Sequence, residues 1–92
     1  MKVKWSLAAK EQLREIIRFY NKRNRSPRYG NRLKSSIRQI TRYISTSPMY
    51  GEYLELEGKR RVCIEYFELL YEVKDGFIEI SSFRDARRNW QR

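Results

Sequence analysis

The chain contains no histidine, which excludes Ser-His and Cys-His nucleophile pairs and any histidine-ligated metal. Its one cysteine, Cys63, leaves no internal disulfide and no cysteine-built zinc site. The strand-like setting of Cys63 predicts a buried thiol in a reducing compartment. Four glycines are scattered without GxGxxG or P-loop spacing, so no phosphate cradle is expected, and no cofactor. No apolar run approaches the roughly 18 residues of a membrane-spanning helix. Met1-Lys2-Val3-Lys4 leads straight into Trp5 without an apolar h-region, so no signal peptide is expected and the cytoplasm is the predicted compartment.

Aromatic residues and positive charge are abundant. Seven Tyr, four Phe and two Trp in 92 residues argue for a packed core despite a net charge of +10. The length suits one domain, 1–92, with room for about one sheet and two helices. The charge is unevenly spread. Residues 1–51 hold thirteen Lys/Arg against Glu11 and Glu15, whereas residues 52–92 hold eight against nine Asp/Glu. A cationic half of this kind favours an anionic partner, whether nucleic acid, the ribosome or an acidic protein that neutralises it, with a plain solubility charge as the alternative.

Lys2 to Trp5 reads as a short strand, and Ser6 as the N-cap of a helix running to about Arg23. Leu13, Ile16, Ile17 and Tyr20 form its apolar stripe, with Arg14, Arg18 and Lys22 on the adjoining face. Ser26-Pro27 restarts a second helix, predicted from Pro27 to about Ser45, with Leu33, Ile37, Ile40 and Ile44 inward and Arg28, Arg32, Arg38 and Arg42 outward. After Pro48-Met49-Tyr50-Gly51 the period changes to two. Strands are predicted at Tyr53–Leu56, Arg60–Ile64, Phe67–Val73 and Phe77–Ser82, with turns at Glu57-Gly58, Glu65-Tyr66 and Asp75-Gly76. The result is an α+β fold: an N-terminal strand, an antiparallel helix hairpin, and an antiparallel sheet with the helices on one face. Alternation assigns Leu54, Leu56, Val62, Ile64, Phe67, Leu69, Tyr71, Val73, Ile78 and Ile80 to the packed face. It assigns Tyr53, Glu55, Arg61, Cys63, Glu68, Leu70, Glu72, Phe77 and Glu79 to a wet one.

With these absences, the available chemistry is phosphate recognition or cleavage by Arg, Lys, Glu and Tyr. Arginine suits a phosphodiester because its planar fork holds two oxygens and offsets developing charge. Lys59, Arg60 and Arg61 at one strand start, and Arg84, Arg87 and Arg88 after the last strand, can converge where antiparallel neighbours meet. Glu55 or another sheet-face carboxylate, or a Tyr or Lys with a shifted pKa, is the candidate general base. The competing reading pairs Arg61 and Arg84 with Glu55, Glu72 or Glu79 as cross-strand ion pairs.

The order of elements resembles the RelE/ParE superfamily of bacterial toxins. The resemblance is carried by Trp5 with Leu7-Ala8-Ala9, Pro48-Met49-Tyr50-Gly51, Arg60-Arg61-Val62-Cys63-Ile64, Phe67-Glu68-Leu69-Leu70-Tyr71-Glu72-Val73, Ile78-Glu79-Ile80 and Phe83 to Asn89. It implies a toxin encoded with an antitoxin whose acidic or amphipathic segment neutralises it. RelE-like members cleave messenger RNA on the ribosome, and ParE-like members poison DNA gyrase. On the RelE-like reading Arg61 and Arg84 match catalytic arginines and Glu55 matches the base of a subset; on either reading Lys59, Arg60, Arg87 and Arg88 are expected to bind the target. The absence of His and the ending Asn89-Trp90-Gln91-Arg92, without a C-terminal Tyr, look more like the ParE side. A growth-inhibiting ParE-like gyrase poison is therefore expected ahead of a ribosome-dependent nuclease. A basic nucleic-acid-binding module without toxicity is the third reading.

Overall fold

The computed structural model describes residues 1–87. Strand β1 (Lys2–Trp5) is followed by helices α1 (Leu7–Asn24) and α2 (Arg28–Thr46). Strands β2 (Glu52–Leu54), β3 (Lys59–Ile64), β4 (Phe67–Lys74) and β5 (Phe77–Asp85) complete the chain. The sheet order is β1-β5-β4-β3-β2. All pairings are antiparallel except β1 with β5, which is parallel. A parallel neighbour needs a long connection, and here the helix hairpin and three strands supply it.

Ser6 starts α1 as expected: its Oγ accepts the Ala9 N–H at 3.1 Å. The second helix begins one residue later than predicted. Pro27 occupies the cap position, and Ser26 Oγ accepts the Arg28 N–H at 3.1 Å. The two helices cross closely at Gly30, where a Cβ would lie 2.8 Å from Asn21 Oδ1 and 3.0 Å from Ile17 Cγ2. Helix α1 lies against β5, and α2 against α1 and β1. Their inward residues Ala9, Leu33, Ile37 and Ile44 join Val62, Ile64, Phe67, Leu69, Tyr71, Ile78, Ile80 and Phe83 in one core.

Four readings of the sheet are corrected. Strand β2 has the opposite phase to the one expected: Tyr53 pairs with Arg60 on the helix side, and Leu54 pairs with Lys59 on the open face. Strand β2 ends at Leu54 and the chain turns over residues 55–58, so alternation stops there and Leu56 projects fully into solvent instead of the core. Cys63 is exposed, which fits its assigned face but not a buried thiol. Glu68 and Leu70, placed on a wet face, are each only 2% exposed. Every residue from Phe67 to Tyr71 is buried, so central strand β4 is covered on both sides at this point.

The turn at Glu65-Tyr66 forms without Gly or Asn. Glu65 sits at φ 55°, a conformation that costs a non-glycine residue about 1–2 kcal/mol. Tertiary contacts offset it: Tyr29 Oη donates to Glu65 Oε1 at 2.9 Å, and the Ala86 N–H donates to the Tyr66 carbonyl at 2.9 Å.

Alternation in β5 breaks at Ser81. Leu70 pairs with Ser82 but Tyr71 pairs with Ile80, which leaves Ser81 as an extra residue in a β-bulge. Ser81 Oγ donates to the Leu70 carbonyl at 3.2 Å, and the Ser81 carbonyl accepts from Ser6 Oγ at 3.3 Å. The bulge therefore bonds both to the neighbouring strand and to the start of α1. Beyond it the faces exchange, so Phe83 enters the core behind Ile78 and Ile80, and Arg84 points to the opposite side.

The loop before β2 is fixed by Tyr71. Its hydroxyl donates to the Pro48 carbonyl at 2.7 Å and accepts the Gly51 N–H at 2.8 Å. A Cβ on Gly51 would lie 2.8 Å from the Tyr71 ring, so the approach requires glycine. Tyr71→Phe leaves a buried N–H and a carbonyl unpaired and is expected to cost roughly 1–3 kcal/mol. Urea unfolding of the variant checks this, and an unchanged midpoint would contradict the role given to the hydroxyl.

Candidate functional site

The face of the sheet away from the helices carries the charged cluster. In register, Cys63 opposes Glu68 and Glu68 opposes Arg84, while Glu52 opposes Arg61 and Arg61 opposes Leu70. Arg61 and Arg84 thus flank Glu68 from neighbouring strands on either side of β4. Arg84 Nε donates to Glu68 Oε1 at 2.6 Å, and Arg61 Nη1 reaches Glu68 Oε2 at 3.5 Å. Outer carboxylates complete the set: Glu52 Oε1 lies 2.6 Å from Arg61 Nη2, and Glu57 Oε1 lies 4.0 Å from Arg84 Nη2. The Glu68 side chain is 3% exposed, and its carboxylate is held by charge-assisted bonds. The hydrogen bond to Glu52 raises the pKa of Arg61 further, with Glu68 adding to the effect.

The expected convergence of basic residues is partial. Arg61 and Arg84 come together, but on a shared carboxylate. The cross-strand ion pairs form with Glu52, Glu57 and Glu68, not with Glu55, Glu72 or Glu79. Glu55 lies exposed in the β2–β3 turn and makes no hydrogen bond or ion pair with the described residues. Lys59 is half-buried at the start of β3. Arg60 points to the helix side, where Nη1 donates to the Gly51 carbonyl at 2.9 Å and the guanidinium covers the Tyr53 ring at 5.2 Å. Arg87 forms a two-point bond with Asp85 and stacks on Tyr66 at 4.4 Å. Arg88 lies outside the described residues.

Glu52, Glu57 and Glu68 are the residues that sequence reasoning did not pair with these arginines. The signal for Glu68 is its place opposite Cys63 across the β3–β4 turn. Its contact with Arg84 follows only once Ser81 is known to bulge, because straight alternation from Ile78 and Ile80 puts Arg84 on the helix side. Among the described residues no group of three or more His, Cys, Asp or Glu is placed to hold a metal. No helix among them is long and apolar enough to cross a membrane.

Two tyrosines are held as neutral hydrogen-bonding groups. Burial, then the bond to Glu65, pushes the Tyr29 phenol up from 10.0 to about 12. Burial also raises Tyr71. Neither is poised to act as a base near neutral pH.

A second apolar feature lies on the helix side. A groove of about 460 Å³ runs between α1 and the end of β5, lined by Gln12, Ile16, Phe19, Tyr20, Phe67 and Phe83, with Glu15, Arg84 and Asp85 also bordering it. Phe19 is exposed there.

Two stability measurements check this arrangement. Glu68→Ala removes the buried carboxylate bonded by Arg84 and Arg61, leaving them with their outer partners Glu57 and Glu52, and is expected to lower unfolding free energy by roughly 2–3 kcal/mol. Glu55→Ala is expected to change it by less than about 0.5 kcal/mol. Equal losses in urea titrations would contradict the assignment. For Tyr29 the raised pKa favours the protonated phenol in the folded state. Its contribution is complete below pH 10 and is lost as pH rises from 10.0 to about 12. Tyr29→Phe is therefore expected to lose less stability over that window than the unmodified protein.

Comparison with known proteins locates the fold. A search of curated proteins finds no match. A solved structure titled as a chromosomal ParDE toxin–antitoxin system from P. aeruginosa holds a chain similar to this one, with a TM-score of 0.75 and 20% identity over 92% of this chain and 95% of that one. At that identity the likeness speaks to the fold alone. The family model for the ParE toxin of the type II toxin–antitoxin system parDE matches residues 3–90. Since that match spans nearly the whole sequence, the chain belongs to the ParE toxin family of type II toxin–antitoxin systems.

Proposed function

We propose that this toxin arrests growth in the cytoplasm by inhibiting DNA gyrase, until an acidic, amphipathic segment of its antitoxin neutralises it. Membership of a toxin–antitoxin family supplies the antitoxin partner. The groove between α1 and β5, apolar inside, suits the apolar stripe of such a segment, and the basic face of α2 suits its acidic flank.

The observation that carries the gyrase reading is the closure of the sheet-face arginines. Three carboxylates lie within 4.0 Å of the two guanidinium groups of Arg61 and Arg84. A phosphodiester entering there must displace carboxylates, one of them buried, before either arginine can stabilise developing charge. The detached position of Glu55 leaves this pair without the candidate base. The convergence of Arg61 and Arg84 is the one feature that favours the second reading, ribosome-dependent cleavage of messenger RNA.

Supercoiling by purified gyrase separates the two. The toxin is expected to reduce supercoiling and trap cleaved DNA, and addition of the antitoxin to reverse both. Codon-positioned cuts in translated messenger RNA that disappear in Arg61→Ala, with gyrase unaffected, would establish the nuclease instead.

A further inference from the structure

The ion pairs among the described residues all fall within residues 52–87. The cations of the helix hairpin take part in none. Between Ile16 and Gly51 the sequence has no acidic residue at all, and α2 alone carries Arg28, Arg32, Lys34, Arg38 and Arg42, every one exposed. At about 100° per residue these five occupy one arc of the helix, centred opposite the buried stripe of Leu33, Ile37 and Ile44. The arginines come as two i, i+4 pairs. Arg28 and Arg32 border one shallow concavity beside Ser26 and Tyr29. Arg38 and Arg42 border a second beside Thr41 and Ser45. The pairs begin ten positions apart, or about 15 Å along the axis at 1.5 Å per residue.

We propose that this face of α2 holds the phosphate backbone of duplex DNA, one concavity per arginine pair. Uncompensated guanidinium groups on a rigid helix match an array of phosphates, and release of the counterions condensed on DNA drives such binding. The residues between the arginines on the exposed side are Asn31, Ser35 and Gln39, which offer hydrogen bonds and no apolar anchor. An acidic protein segment would need such an anchor, and the apolar groove that supplies one lies elsewhere, between α1 and β5. A single strand would need open stacking aromatics; the Tyr29 ring of the first concavity is already covered by Arg32 at 5.2 Å, and the second concavity has no aromatic in its lining. The choice of DNA among duplexes rests on the gyrase reading, since that target works on DNA it holds. The hairpin would then add an attraction to the DNA-bound enzyme that the free enzyme lacks.

Fluorescence anisotropy of the full chain with a 20-base-pair DNA duplex, titrated from 50 to 200 mM salt, tests this. About four phosphates neutralised predicts a log–log slope near −3.6 and a loss of affinity on the order of 100-fold across that range. Arg28→Gln/Arg32→Gln and Arg38→Gln/Arg42→Gln are each expected to reduce the slope by about 2, with thermal midpoints unchanged because these side chains have no acidic partner to lose. Lys74→Gln, on the sheet, is expected to leave the slope as it was. The proposal is overturned if the paired substitutions leave the slope unmoved. It is also overturned if an RNA duplex of equal length binds tenfold more tightly, or if polyglutamate displaces DNA at equal charge. Gyrase supercoiling is measured alongside. Inhibition without DNA binding overturns the proposal and leaves the gyrase reading standing. DNA binding without inhibition supports the surface and removes the gyrase reading.

Discussion

One inserted residue, Ser81, decides which side of the sheet the last part of β5 faces. Because side chains alternate with a period of two, an extra residue in one strand exchanges every position beyond it. Before the bulge Ile78 and Ile80 point into the core. After it Phe83 does, stacking on Phe67 at 5.4 Å, and Arg84 is turned towards Glu68. The bulge is also where α1 is tied to the sheet, through Ser6, whose N–H bonds the Ile80 carbonyl at 2.9 Å. Helix docking, closure of the aromatic core and assembly of the charged cluster thus depend on the same few atoms.

That cluster has the composition expected of a phosphate site and the wiring of a structural one. A carboxylate as buried as Glu68 is strongly disfavoured unless paired and hydrogen-bonded. Arg61 and Arg84 meet that demand, and Glu52 and Glu57 partly neutralise the arginines in turn. Positive charge left over is found on α2, which carries no carboxylate of its own. The toxin therefore separates into a sheet face whose charges satisfy one another, an apolar groove beside α1, and a helix face whose charges remain available to a partner.

Much of this was legible in the sequence because local rules held. Ser6 as a cap, the stripes Ile17 and Leu33-Ile37-Ile44, and the Asp75-Gly76 turn all follow from periodicity and turn chemistry. The membership of the toxin family was likewise readable from the succession of elements. What could not be read was set by contacts distant in sequence. Glu65 adopts a left-handed turn because Tyr29, 36 residues away, bonds its side chain. Leu56 looked like core because alternation carries no mark of where β2 stops. The burial of Glu68 and Leu70 follows from the central place of β4 in the sheet, and the partners of Arg84 follow from a bulge that Ser81-Ser82 does not announce. Glu55 seemed close to Arg61 only while it was counted as part of a strand.

On the gyrase reading, Arg61, Glu68 and Arg84 form a structural cluster and none of them is needed for chemistry. Only Glu68 of the three is buried, and replacing a buried charge together with its partners by apolar residues avoids leaving any of them unpaired, so the fold is expected to survive the test. The decisive measurement is growth arrest by the Arg61→Leu/Glu68→Leu/Arg84→Leu variant, with folding confirmed by its thermal transition. Arrest comparable to that of the unmodified toxin is expected. A folded variant that no longer arrests growth would contradict this reading.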